Sequence, residues 1–481
     1  MAAASPYLKE SAASGLGLGL GFLGLVALGV ASGVLLAIGE IEALYLCLSI
    51  AATLAVLYDF RVGAVLLIVL LPLSTSNVFP HELMGFKGLN PINVLVLATL
   101  GSYLLHGRIG HAGAFVPKPL LWLYLVPFFI AGLLGTRHAE DIFPVFYEAE
   151  SINFTEALGY FRDLVVKPAL IVAVALLVAA AVAKAQKPER FFTPIVISIW
   201  AICLLEIIFV ATSGIRSIGE LAAPGTARQF LLVIGMHAND FGRLFAMAYA
   251  LILFLWWEEK EPRFKLVLFL TMGIISVALL LTFSRGAFLG FLLVNALFLM
   301  WKFNAKTLSL ALLAGVVAAA FAPGYLYSRI TLGFDSGDVE TLTAGRVAGI
   351  WLPLLPEIWK SPLWGNGVGS VTWSYPMLTE AMTAVLHPHN AYLEAVLDAG
   401  FIGLALFLTY YWTVWRGFRA LGSHAYLSPA MRGFFQGATA GLVAFFVTGW
   451  AGSSLMPRYE WSFLWIAIGV MYGLLARRPA S

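Results

Sequence analysis

Apolar runs of roughly 15 to 23 residues, each long enough or nearly long enough to cross a hydrocarbon core of about 30 Å as a helix, recur along almost the whole chain. The first, GLGLGLGFLGLVALGVASGVLLA, starts at Gly15, and the last ends near Ala476. Few folds are open to such a chain, because in lipid every backbone N–H and C=O must be satisfied internally. Of the 481 residues, 60% are hydrophobic and 11% charged, less than half the charged share of roughly 25% in soluble domains. The expectation is an all-α polytopic membrane protein with about 12 to 14 transmembrane helices. Candidate segments are 15–38, 41–58, 62–73, 91–105, 120–135, 168–183, 193–211, 243–257, 266–283, 287–301, 308–322, 390–411, 434–450 and 461–476. The first run is too long for a signal-peptide core and follows a single basic residue, Lys9, which predicts a retained helix. Cys47 and Cys203 each sit inside an apolar run, so a structural disulfide or a cysteine metal site has little support.

Charge distribution sets the orientation. With the N-terminus cytoplasmic, short connections such as KAQKPER, WWEEKEPRFK and WKFNAK fall on the cytoplasmic side, together with Arg416, Arg419, Arg432, Arg477 and Arg478. The outer side receives the long segments 136–167, 212–242 and 323–389, where basic residues are sparser per length. No repeat of about 20 to 50 residues and no low-complexity linker stands out. The organisation predicted is an N-terminal set of helices over 1–190, a membrane region over 191–450 carrying the loops 212–242 and 323–389, and a last turn, helix and tail over 451–481.

The polar features converge on the outer face. LLLTFSRGAFLG puts Ser284 and Arg285 in a very short turn between two helices, and an arginine there is either interfacial or faces a partner or a wet cavity. The loop TSGIRSIGELAAPGTARQFLLVIGMHANDFGR brings Arg216, Arg228, His237, Asn239 and Arg243. Arg346 opens an apolar, tryptophan-bearing stretch to Trp364 that reads as an amphipathic or re-entrant helix. GNGVGS has no strand before it, so it reads as a flexible turn and not as a phosphate loop. HPHNAYLEAVLDAG places His387, His389 and Asn390 ahead of Glu394 and Asp398 on the following helix. The i, i+2 histidines lack helical ligand spacing, which weighs against a metal. A histidine at a wet helix mouth is either a hydrogen-bonded residue or a general base. The acidic loop 136–168 is expected to be a solvated loop, with lining an acceptor entrance as the second reading.

SRGAFLG at 284–290, AGRVAGIW at 344–351, PLWGNGVGS at 362–370 and HNAYLEAVLDAGFIGLALF at 389–407 together resemble, in order and spacing, the O-antigen ligase and O-antigen polymerase superfamily. The resemblance covers about residues 190–450, and the first 190 residues add only compatible hydropathy. It implies a GT-C-type fold with a large periplasmic loop before the HN motif. It also implies a metal-independent, inverting glycosyltransferase without cofactors, in the bacterial inner membrane with its site on the periplasmic face. Such enzymes move a glycan from undecaprenyl diphosphate onto an acceptor hydroxyl, on the lipid A core in ligases and on another lipid-linked glycan in polymerases. Carried over by motif, His389 is the implied catalytic base, and Arg228 and Arg285 hold the donor diphosphate. His387 could share or replace the base role, and Asn390, Glu394, Arg346, Arg458 and Asn239 are supporting candidates. Membrane lipid is an expected partner and nucleic acid is not. An O-antigen ligase is the leading reading, a polymerase of O-antigen, capsule or exopolysaccharide the alternative, and a lipid-linked glycan transporter the reading from another class.

Overall fold

The computed structural model describes residues 41–76, 78–80, 82–83, 86–87, 90–107, 115–149, 151–214, 230–321, 324, 328, 331, 339–452 and 454–477. The chain divides into two compact units, one of residues 1–67 with 77–110 and one of 68–76 with 111–481. The segments predicted from 41–58 onward coincide with helices, and the predicted first helix at 15–38 lies outside the described residues. The protein is an all-α polytopic membrane protein, in which seven described helices are long and apolar enough to cross a membrane.

In the smaller unit, α1 (Ile41–Tyr58) packs on α3 (Pro91–Ser102), and α2 (Phe60–Leu70) follows α1 after a one-residue break. Asn90 caps α3, its side chain accepting from Asn93 N at 2.7 Å with Pro91 at the first helical position, as the NPIN sequence dictates. A two-residue antiparallel pair, β1 (Glu82–Leu83) with β2 (Phe86–Lys87), is the one described strand ladder.

The larger unit holds α4 (Lys118–His138), α5 (Ala157–Lys184), α6 (Pro188–Thr212), α7 (Ala238–Glu258) and α8 (Pro262–Leu281). They are followed by α9 (Arg285–Trp301), α10 (Ala305–Phe321), α11 (Val347–Ile358), α12 (Ala391–Gly422), α13 (Pro429–Ala451) and α14 (Tyr459–Leu475). Lipid tails give no hydrophobic drive for helices to associate, so close packing over small residues carries the load. The most extensive pairs are α7 with α13 and α5 with α14. A methyl at Gly437 would lie 2.4 Å from the Ala250 carbonyl oxygen, and one at Gly469 would lie 2.4 Å from that of Ala175. Only a missing side chain lets these backbones approach so closely. α7 is consequently buried along nearly its whole length and forms the centre of the unit.

Contacts between turns sort the helix ends. Lys302 pairs with Glu258 at 2.5 Å, Ser428 Oγ donates to Glu189 at 2.8 Å, and Arg477 donates to the Ala185 carbonyl, so these short connections share one end. The other end gathers the N-terminus of α7, the Ser284 turn, the 451–458 turn and the start of α12.

Residues 139–160 do not form the solvated loop expected. Ala139, Ile142, Phe146, Ile152, Phe154 and Tyr160 are buried in a core shared with Ile350, Leu354, Val371, Trp373, Met377 and Leu397. The acidic residues between them obscure an apolar set that needs a partner surface, and the 347–377 region supplies it. Phe143 N donates to Thr372 O at 3.0 Å and Tyr160 Oη to Val368 O at 2.5 Å, fastening the two layers.

Candidate functional site

Asn390 starts the site by starting a helix. Its side-chain oxygen accepts from Tyr392 N at 3.0 Å and Leu393 N at 3.1 Å, an N-cap worth about 1 kcal/mol. It is therefore a cap of α12, which fixes the direction in which the preceding residues leave. His389 takes φ +54°, a left-handed conformation uncommon for a side chain without local compensation. The turn is held on both sides. His389 N donates to His387 Nδ1 at 3.3 Å, and Trp351 Nε1 donates to the Pro388 carbonyl at 2.8 Å. The two imidazoles meet edge to face with centroids 4.2 Å apart.

Trp351 belongs to α11, so the stretch opened by Arg346 docks one side on the histidine turn. Leu352, Leu355 and Trp359 remain exposed on it, as a surface-lying helix requires. Arg346 Nη1 donates to Ala451 O at 2.7 Å, which ties the start of α11 to the end of α13.

GNGVGS is not a flexible turn. Asn366 N donates to Leu397 O at 2.7 Å and Gly367 N to Asp398 O at 3.0 Å. Asp398, fully buried, answers by accepting from Gly369 N at 3.0 Å, Ser370 N at 3.1 Å and Ser370 Oγ at 2.7 Å. At the same level α12 breaks: Gly400 has φ +69° and ψ −178°, and a methyl there would lie 2.2 Å from Leu363 O. The 362–370 loop thus clamps the kink, and the glycines serve close backbone contact as well as turning. Asp398 holds this clamp.

Glu394, one turn into α12, pairs with Arg458 Nη2 at 2.7 Å, and its carboxylate is 5% exposed where the arginine is 40% exposed. Its other oxygen accepts no hydrogen bond among the described residues. The partner is thus in neither the motif nor the helix. Burial alone would depress the Arg458 guanidinium, but Glu394, Glu460 and Asp240 hold it above its ordinary value. The Arg458 turn is positioned from behind, since Tyr124 Oη at 2.9 Å and Tyr411 Oη at 3.0 Å both donate to Leu455 O. Arg458 and Glu394 line a cavity of about 370 Å³, with Asn153, Asp163 and Lys167 on its other walls.

Sequence reasoning listed Arg243 without giving it a role and passed over Glu460 and Asp240. Arg243 is buried on α7, with Nη2 3.4 Å from Asp240 and Nε 3.5 Å from Glu460. Gly452 lies against its guanidinium, so Ala451, and through it Arg346, is brought to the same place. The available signal was a charge at the head of an apolar run, which in a membrane helix calls for a partner. His237 caps α7 by accepting from Asn239 N at 3.1 Å, and the Asn239 side chain accepts from Ser284 Oγ at 2.8 Å. Ser284 in turn caps α9, so Arg285 stands at the first position of that helix, half-buried beside the start of α7. Arg228 lies outside the described residues.

The groups converge electrostatically on His387. Its pKa is held well below the ordinary value, first by burial and then by the charges of His389, Arg458, Arg243 and His237. A ring so placed is neutral at pH 7. With Nδ1 accepting from His389 N–H, its own proton sits on Nε2, which makes that nitrogen a donor.

Residues 270–408 match the model of the O-antigen ligase family. That segment runs from within α8 through the SRG turn, α11, the glycine clamp and the histidine turn. It therefore holds Arg285, Arg346, His387, His389, Asn390 and Glu394, while Arg243 and Arg458 come from outside it. A protein of Rickettsia bellii (strain RML369-C), named "Putative polysaccharide ligase", is 22% identical over 240 residues, covering 48% of this chain and 55% of that protein. The match spans about half the length of that relative.

Proposed function

We propose that the protein transfers a glycan from a polyprenyl diphosphate carrier, undecaprenyl diphosphate in bacteria, to an acceptor hydroxyl, as an O-antigen ligase. The observation that carries this reading is the joining of a histidine turn matched by the O-antigen ligase model to Arg458 and Arg243, whose charges act on His387, with Arg458 also walling a cavity at the same end of the helices. In this reading His389 takes the proton of the acceptor hydroxyl while that oxygen attacks the anomeric carbon. The bond from that carbon to the diphosphate breaks on the opposite face, giving inversion and a free polyprenyl diphosphate. The leaving group gains negative charge as the bond lengthens, and fixed guanidinium forks stabilise it. Arg285 and Arg228 are assigned to the diphosphate, with Arg346 and Arg458 as supporting contacts. His387, a donor in this geometry, is assigned to orienting an oxygen of substrate and not to proton abstraction. The helix ends and short connections at the far end carry Lys184, Lys187, Lys260, Arg263, Lys265, Lys302 and Arg419, which under the positive-inside rule supports a histidine end on the periplasmic side of the inner membrane.

The test is transfer by the purified full-length protein from lipid-linked glycan to lipid A core. His389→Ala is expected to lower turnover by about 10³-fold with donor binding retained. Undiminished turnover in that variant overturns the base assignment. Elongation of lipid-linked glycan in the absence of any lipid A core favours a polymerase and removes the ligase reading.

A further inference from the structure

At the end of the helices opposite the histidine turn, a cavity of about 460 Å³ opens among α9, α12 and α13. It is lined by Trp301 and Lys302, by Trp415, Arg419 and Ser423, and by Gln436. α9 runs from Arg285 to Trp301, so this cavity lies about 25 Å from the SRG turn. Its lining combines basic, amide and indole side chains. Lys302 is engaged by Glu258 at 2.5 Å, whereas Arg419 has no carboxylate partner among the described residues and lies 4.9 Å from the Trp415 ring centroid. Arg419 is thus available to an anion, and Lys302, whose ammonium carries three donors, can add a second contact beside its bond to Glu258. Trp301 is 44% exposed at the helix end, where an indole sits between headgroup and acyl chain.

Gln436 narrows the ligand further. Its Nε2 donates to Gly422 O at 3.0 Å, which fixes the orientation of the amide. Its Oε1 is then left buried without a donor among the described residues. A buried acceptor without a partner costs roughly as much as a lost hydrogen bond. A phosphodiester has no O–H of its own, so the donor that offsets that cost has to come from a headgroup hydroxyl or ammonium. We propose that this cavity binds the headgroup of a membrane phospholipid, its phosphodiester on Arg419 and Lys302 and its hydrogen-bond donor on Gln436 Oε1.

Native mass spectrometry of the full-length protein, released from mild detergent after exposure to equal concentrations of two lipids, tests this. Phosphatidylglycerol, which has hydroxyl donors, is expected to be retained at least about fivefold over phosphatidylcholine, which has none. The double variant Lys302→Gln, Arg419→Gln should lose that preference, and Gln436→Leu should reduce it. Arg419→Lys, which keeps the charge and the fold, should retain most of it. Equal retention of phosphatidylglycerol by wild type and the double variant overturns the proposal, as does an unchanged preference in Gln436→Leu should the double variant not fold. Displacement of the lipid by an equal concentration of inorganic phosphate also overturns it, because the site would then be reading phosphate alone.

Discussion

The same helices are finished in two different ways at their two ends. At the histidine end, the Ser284 turn apart, the connections are long, and guanidiniums reach carboxylates on other elements: Arg458 to Glu394, and Arg243 to Glu460, with Asp240 of its own helix beside it. At the far end α7 and α8, α9 and α10, and α12 and α13 are joined by short turns, and of the basic side chains there Lys302 meets Glu258 while Lys265, Lys306 and Arg419 lie over tryptophan faces. One end fixes charges in place and the other distributes them. Fixed charge suits a reaction whose leaving group becomes more negative along its path, because nothing needs to reorganise as it does so. Distributed charge suits a membrane surface.

Substitutions at the two ends should separate these roles. The largest effect on folding is expected at the clamped kink, where Gly400→Ala forces a methyl onto Leu363 O at a backbone conformation open only to glycine. Thermal unfolding in detergent should show a loss of about 3 kcal/mol, with glycan transfer falling further than stability does. Next comes Arg458→Ala, which leaves Glu394 buried beside an empty position. The expected cost is about 2 kcal/mol, below the value of about 3 to 5 for a fully buried pair because the arginine is 40% exposed. Replacing both, as Arg458→Ala with Glu394→Gln, should restore most of the stability and none of the transfer. Recovery of transfer would show that the fixed charge is structural only.

A smaller, pH-dependent effect is expected from His387. Its folded-state pKa is depressed, so the folded protein binds fewer protons than the unfolded chain below the ordinary histidine value of about 6.5. Stability contributed by the neutral ring is complete above that value and is lost as pH falls from about 6.5 toward the folded pKa. His387→Gln should therefore flatten the decline of melting temperature between pH 7.5 and 5.5. An unaltered decline would remove this histidine as its source. The smallest effect is expected at the far end. Ser428→Ala removes the cap of α13 and the bond to Glu189, costing about 1 kcal/mol in thermal unfolding. Transfer per folded molecule should be unchanged, and a marked loss would show that the two ends are not independent.

Much of this was legible from local patterns. Hydropathy located the described helices, and Ser284 and Asn390 lie where caps precede apolar runs. The extent of two helices was not legible, since α5 begins near Ala157 and α12 continues to Gly422, beyond the predicted 168–183 and 390–411. Arginine and aromatic residues at those ends mask helix that continues past the apolar run. The histidine turn, Arg285 and Arg346 stood out as polar residues at helix mouths. The ion pairs did not, because Glu394 and Arg458 are 64 residues apart and neither carries a mark of the other. Glycine-rich sequence likewise reports which backbone angles are open and not which carbonyls lie nearby, so 365–370 read as loose where it is fastened to Leu397 and Asp398. The 139–160 stretch misled for the converse reason, its exposed carboxylates hiding the buried Phe146, Ile152 and Phe154.

The kink at Gly400 also decides what the bilayer can and cannot move. α12 has 32 residues, about 48 Å of helix, which is too long for one hydrocarbon core. The part after Gly400 alone, residues 401–422, measures about 33 Å and suffices to span. A thinner or thicker membrane can then be met by tilting that lower part about the glycine. The upper part, with Glu394 and the histidine turn at its head, stays bolted to the 362–370 loop. A kink clamped in this way would let mismatch be met below the joint, with the histidine turn and Glu394 kept in register with the 362–370 loop.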